Sequence, residues 1–302
     1  MAAASPIDTV SSWDSSLALA PISTKTSTVP SLDMASPAIQ FTTIKRLFDE
    51  IDRTAGDALT VHDVSVQQFA EIEKTRDKRK RRFRFHFSAA TKILIITIPT
   101  GLHEQVHHWI RDSIIIAISQ MGLRDAWRAV GATTFQVQSP HFSSGEGDSA
   151  GGPRPQRSGG RSWPTLVIEA GYSQTLQEMR QRMRWWFGAS NHEVKIVLLA
   201  KLNRNARNIT IEKWIEVPAQ IRPGATNTRA AAQLEPDCSQ TISITQNPGN
   251  PGNPVSYDIT RGDLRLEFDL LFLRQPGGGE SDIIISMERL RVYAECVWEE
   301  EV

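Results

Sequence analysis

The stretch Trp163-Pro164-Thr165-Leu166-Val167-Ile168-Glu169-Ala170-Gly171-Tyr172-Ser173 decides the fold. Its aliphatic run, bounded by Pro164 and Gly171, has the pattern of a strand buried on both faces. Ser173–Phe187 follows as a helix, with Leu176, Met179, Met183, Trp186 and Phe187 forming one apolar stripe. Val194–Leu202 is a second aliphatic run. Strand, helix and strand in that order predict a right-handed crossover joining parallel strands. Glu169 closes the first run. A charged carboxylate there is costly unless it reaches solvent, pairs with arginine or meets a bound cation.

Further elements follow on either side. Ile44, Leu47, Phe48 and Ile51 repeat at helical spacing. Arg82-Phe83-Arg84-Phe85-His86-Phe87 alternates as a half-buried strand, and Lys92–Pro99 reads as its hairpin partner across Ser88–Thr91. A long helix is expected from His103 to Met121, with Val106, Trp109, Ile110, Ile114, Ala117 and Met121 as its stripe and Gly122 as its stop. Thr133–Val137 suggests another strand, and the Ser/Gly/Pro/Arg stretch 139–161 a loop or insertion. After a turn at Asn203–Asn208, Ile209–Val217 continues the sheet. Pro218–Pro254 reads as irregular except for a short strand at Thr241–Thr245, while Asp263–Arg274 and Asp282–Trp298 are ordered. The order is that of an α/β protein.

Residues 1 to 39, rich in Ser, Thr, Ala and Pro, read as a disordered tail. The domains expected are therefore that tail, an α/β core over 40–217, and a β-rich C-terminal extension over 218–302 that packs on the core. The chain has 302 residues, with 34 Lys plus Arg against 34 Asp plus Glu. That balance excludes a wholesale polycation and an acidic solvating chain, but not a local basic patch. Two cysteines, Cys238 and Cys296, exclude a disulfide scaffold and a four-cysteine zinc site. No apolar run approaches the length of a membrane span, and the N-terminus lacks a secretory or Arg-rich transit pattern. The expectation is a soluble intracellular protein of nucleus or cytoplasm, with no membrane partner.

The Pro164–Ser173 window, the helix ending in Trp185-Trp186-Phe187, and Glu193–Leu199 together resemble the PD-(D/E)XK nuclease superfamily. The resemblance spans residues 82–217 and is nearest to restriction-endonuclease-like proteins of unknown function that are frequent in fungi. It implies a mixed central sheet flanked by helices. It also implies Mg²⁺ held by two acids, with a neighbouring lysine, for hydrolysis of phosphodiester bonds in nucleic acid. Glu169 matches the second acid. Asp148, in Gly147-Asp148-Ser149, is the best-placed match to the first, and a solvated loop aspartate is the alternative. Glu104 lies where such proteins often place a further acid on the helix before the sheet, or else it complements the helix dipole.

The lysine is missing, since Gly171 stands two residues after Glu169. Arg180 and Arg182 flank the helix stripe on opposite sides, and Lys195 begins the next strand. Any of these three cations could serve at a phosphate, and any could be ordinary solvated charge. His103 and His107 share a helix face, and the expectation is surface or helix-start histidines. The run Lys78-Arg79-Lys80-Arg81-Arg82 suits phosphate contact, nuclear import or a solvated loop. No nucleotide-cofactor fingerprint is present. The departure at Gly171 leaves open a non-enzymatic nucleic-acid or protein interaction module that keeps the fold. Oligomeric state is not encoded in any recognisable pattern.

Overall fold

A computed structural model of the chain describes residues 36–131, 133–138, 140–160, 162–219, 234–250 and 254–300. In chain order its elements are β1 (Ala38–Gln40), α1 (Ile44–Arg53), β2 (Ala58–His62), α2 (Val66–Lys78), β3 (Arg84–Ser88), β4 (Ile93–Thr97), α3 (Gly101–Gln120), β5 (Trp127–Val130), β6 (Phe135–Val137), β7 (Ser143–Gly145) and β8 (Ser149–Pro153). They continue with β9 (Leu166–Gly171), α4 (Leu176–Ala189), β10 (Ile196–Asn203), β11 (Asn208–Pro218), β12 (Leu234–Asn247), β13 (Ser256–Thr260), β14 (Leu264–Leu266), α5 (Phe268–Phe272), β15 (Ile283–Ile285) and α6 (Met287–Glu299).

The protein is a mixed α/β structure built on two mixed sheets flanked by helices. The smaller has the order β1-β2-β4-β3-β7-β6, and the larger β13-β12-β11-β10-β9-β8-β5. In the larger sheet β9 and β10 run parallel across the α4 crossover, Leu166 opposite Ile196, and the other pairs are antiparallel. The β3–β4 hairpin forms as its alternation predicts.

Period-two alternation in β9 assigns its residues to opposite faces. Leu166, Ile168 and Ala170 pack with Val106, Ile110 and Ile114 of α3 in one core. Val167 packs with Met179, Met183 and Trp186 of α4 in another. A third core joins the small sheet to Phe48 of α1 and Phe69 of α2. Helix α3 starts at an N-cap, Thr100, whose hydroxyl accepts from the His103 amide at 3.1 Å, and it ends at Gly122 with φ +75°.

Several expectations need correction. The expected tail overlaps an ordered strand, because Ala38–Gln40 pairs in parallel with Thr60–His62 and Ser36 is buried; residues 1–35 lie outside the described residues. The stretch 139–161 is not simply a loop, since it contains β7 and β8, and β8 is buried throughout. Its glycines are what made it read as a loop, and they are needed by neighbouring indoles. A Cβ on Gly145 would fall 2.4 Å from the Trp185 ring, and one on Gly151 2.6 Å from Trp127. The short strand at Thr241–Thr245 is the middle of β12, which pairs with β11 along its length. Residues from Leu234 thus extend the larger sheet, while α6 packs its Tyr293 and Val297 into the α3 core.

Candidate active site

The chain crosses from the small sheet to the large one between β7 and β8, through Glu146, Gly147 and Asp148. Both acids on this crossing are buried. Asp148 is no solvated loop residue: its Oδ2 accepts the Ala170 amide at 2.8 Å, which fixes it beside the end of β9. Its Oδ1 lies 3.3 Å from Arg84 Nη1 of β3 and 3.2 Å from His103 Nε2 of α3. Burial alone would raise this carboxyl, but His103 and Arg84 outweigh it and hold Asp148 well below the usual carboxylate range.

Glu169 is buried one position beyond the last β8–β9 pair, Ser149 opposite Ile168. It shares the Val167 face of β9, so it points to α4. There its Oε1 accepts Trp186 Nε1–H at 2.6 Å, and its Oε2 stands 3.0 Å from Arg182 Nη2. Arg182 Nη1 also donates to Thr97 Oγ1 at 3.1 Å. Burial, and after it the Asp148 charge, push the Glu169 carboxyl up despite Arg182.

Of the three candidate cations, Arg182 alone meets Glu169. Arg180 turns to the other side of α4 and pairs in bidentate fashion with Glu212 of β11. Lys195 donates to the His192 carbonyl at 2.7 Å and lines a separate cleft with Glu216 and Leu234. Neither joins Asp148 or Glu169 at the crossing. Arg180 is two residues from Arg182 on α4 and so faces away from it. Lys195 lies just before the first β9–β10 pair, whereas Glu169 stands further along, opposite Leu199.

His103 and His107 are fully buried rather than at the surface, because both fall on the inner face of α3. His103 Nδ1 contacts Asp57 Oδ2 at 2.9 Å, and His107 Nδ1 contacts Ser149 Oγ at 2.8 Å. Burial pulls His103 down, yet Asp148 and Asp57 outweigh it and hold the imidazole up at about 9. Asp57 went unnoticed in the sequence. It also accepts the Tyr172 and Ser173 amides at 2.9 and 2.8 Å, tying the start of β2 to the end of β9. Arg84 was missed as well, being hidden in the basic run that leads into β3. Its Nη2 donates to Glu104 Oε1 at 2.8 Å, so one guanidinium links Glu104 to Asp148. Glu104 is partly exposed and is held down at about 2 against its burial, chiefly by His107 and Arg84.

A cleft of about 530 Å³ opens above Glu104 and Arg84 and is also lined by Arg76, Arg81, Arg82 and Glu146. Arg76 Nη1 donates to both oxygens of Glu146, at 2.9 and 2.8 Å, and Arg81 pairs with Asp52. The basic run is thus the turn between α2 and β3. Lys78, Lys80 and Arg82 are exposed there, and Arg79 lies over the Phe48 ring at 4.6 Å.

Asp148 and Glu104 both pair with Arg84 at the cleft floor, so an ion bridging them must displace that guanidinium. At Glu169 Arg182 likewise takes the place of a cation, and Trp186 occupies the other oxygen. His103, Glu104 and His107 bring ligand atoms within 4.8 Å of one another.

No family model matches the chain, and no curated protein sequence matches it. Among solved structures, a candidate nuclease of the family DUF820 from Anabaena variabilis is similar over 70% of this chain and 90% of its own, at 11% identity and a TM-score of 0.36. That likeness is too slight to assign a fold family. Among the described residues no helix is long and apolar enough to cross a membrane.

Proposed function

We propose that the chain is a divalent-ion-dependent phosphodiesterase of the restriction-endonuclease-like kind, acting on nucleic acid. Asp148 and Glu104 would hold the ion. The observation that carries this reading is the arginine-lined cleft whose floor, Arg84 and Glu104, connects directly to buried Asp148. Arg82 is exposed at the rim, and its planar donors suit a phosphate; Arg76, Arg81 and Arg84 are already paired with acids. The exposed Lys78, Lys80 and Arg82 extend that positive surface, giving affinity without sequence readout. A bound divalent ion supplies charge neutralisation at the phosphate and a water of lowered pKa. The chain itself supplies a preorganised carboxylate: Asp148 is fixed by the Ala170 amide, so its other oxygen is aimed before any ligand arrives.

Two observations favour a second reading, a non-enzymatic nucleic-acid or protein interaction module that keeps the fold. Gly171 stands where a lysine would activate water, and Arg182 with Trp186 engages both oxygens of Glu169. The test incubates the full chain with plasmid DNA, single-stranded DNA and RNA in Mg²⁺, Mn²⁺ or Zn²⁺, comparing wild type with Asp148→Asn. Hydrolysis predicts cleavage slowed roughly 10²-fold or more in the variant. Equal cleavage in both proteins, or none in either, overturns it. Salt-sensitive binding without cleavage, weakened by Lys80→Ser with Arg82→Ser, supports the module.

A further inference from the structure

We propose that the first turns of α3 carry a site for a divalent transition ion of borderline softness, Zn²⁺ fitting best, held by His103, Glu104 and His107, with Asp148 beside His103 as the fourth donor. The facing atoms are His103 Nε2, His107 Nε2, Asp148 Oδ1 and Glu104 Oε2. On side chains buried to 95% or more, His103 Nε2, His107 Nε2 and Asp148 Oδ1 make no hydrogen bond of good geometry. Their contacts are looser ionic ones to one another, to Glu104 and to Arg84. Buried polar atoms held so loosely are rare and call for a physical reason.

Ligand atoms of His103, Glu104 and His107 all lie within 4.8 Å of one another, and Asp148 adjoins His103. His103 Nε2 lies 3.2 Å from Asp148 Oδ1, and His107 Nε2 lies 3.4 Å from Glu104 Oε2. Two atoms each about 2.1 Å from a tetrahedral ion stand about 3.4 Å apart. The histidines are four residues apart on one helix, which stacks their rings on the same face.

Each ligand has its far atom held and its near atom turned inward. His103 Nδ1 is held by Asp57, His107 Nδ1 by Ser149, Asp148 Oδ2 by the Ala170 amide, and Glu104 Oε1 by Arg84. Such outer partners fix the tautomer and orientation of histidines that ligate metal.

Two neighbours compete for these ligands. His108 Nε2 reaches the same Glu104 oxygen at 2.9 Å, and Arg84 Nη1 approaches the same Asp148 oxygen. Both must yield or share when the ion enters. Two imidazoles favour Zn²⁺ over Mg²⁺, which prefers oxygen and water. Glu169, aimed at α4 from the other face of β9, takes no part.

This site would give the proposed hydrolysis its ion, but it is read by binding alone, so either idea can fail without the other. The full chain is stripped with a chelator and titrated with Zn²⁺, and bound metal is counted after desalting. Co²⁺ serves as the spectroscopic probe. One Zn²⁺ per chain is expected, with Co²⁺ visible bands of a nitrogen-ligated, low-coordinate ion that persist in roughly a hundredfold excess of Mg²⁺. His107→Gln should weaken Zn²⁺ binding about a hundredfold while its circular dichroism is unchanged, and Glu169→Gln should stay within about threefold of wild type. Absence of stoichiometric Zn²⁺ uptake by wild type overturns the site. So does an all-oxygen octahedral Co²⁺ spectrum, or loss of binding in Glu169→Gln with retention in His107→Gln.

Discussion

Arg182 is the price of burying Glu169. With both side chains nearly sealed from water, removing the guanidinium would strand a carboxylate against Trp186. Arg182→Met is expected to destabilise the chain by about 3–5 kcal/mol in urea unfolding. Arg182→Met combined with Glu169→Gln should recover most of that loss, because a neutral amide needs no counter-charge yet still accepts from the indole. A double mutant no more stable than the single would show that Glu169 does not depend on Arg182. Glu169 was legible in the sequence because a charge ending an aliphatic run is conspicuous. Asp57 was not. Its meaning comes from His103, 46 residues away, and from Tyr172, 115 residues away, and no local pattern encodes such contacts.

At the scale of elements, strand β8 shows where composition misleads. Ser-Ala-Gly-Gly-Pro reads as a loop, yet Gly151 sits opposite Ala129 of β5 and leaves room for Trp127. Gly151→Ala should cost about 1–3 kcal/mol through overpacking. Gly131→Ala, which meets open space just past the end of β5, should be near neutral. Comparable urea midpoints for the two variants would remove the steric explanation of this glycine. The crossover β9–α4–β10 was readable throughout because its apolar periods switch cleanly from strand to helix and back. Helix α2 was not, since Val66–Lys78 buries only Phe69 and Ile72 and leaves too thin a stripe to stand out.

For the molecule as a whole, acid stability should reflect His86. This half-buried ring lies edge-on to Trp185 at 4.9 Å, and burial, with Arg182 adding to it, pushes its pKa down to about 3. A depressed folded pKa means that the associated stability is complete above the unfolded value near 6.5 and is lost as pH falls towards 3. Between pH 7 and pH 5 the wild type should lose about 1–2 kcal/mol from this group. His86→Gln should show a correspondingly flatter curve of urea midpoint against pH. Parallel curves for the two proteins would rule the ring out as a determinant. The overall charge of zero concealed this arrangement. Lys74–Arg84 holds eight basic residues and one acid, whereas Asp258–Val302 holds eleven acids and five bases. The basic block forms one wall of the cleft.

The crossing through Glu146, Gly147 and Asp148 imposes a constraint of length rather than of chemistry. Three residues span at most about 11 Å, so the two sheets are tethered at a fixed distance where the acids gather. Side chains alternate along β8, and one inserted residue in this tether would send Ser149 away from His107 and reverse the register that aims Asp148. Substitutions along the tether could be repaired by neighbours, whereas a change in its residue count could not.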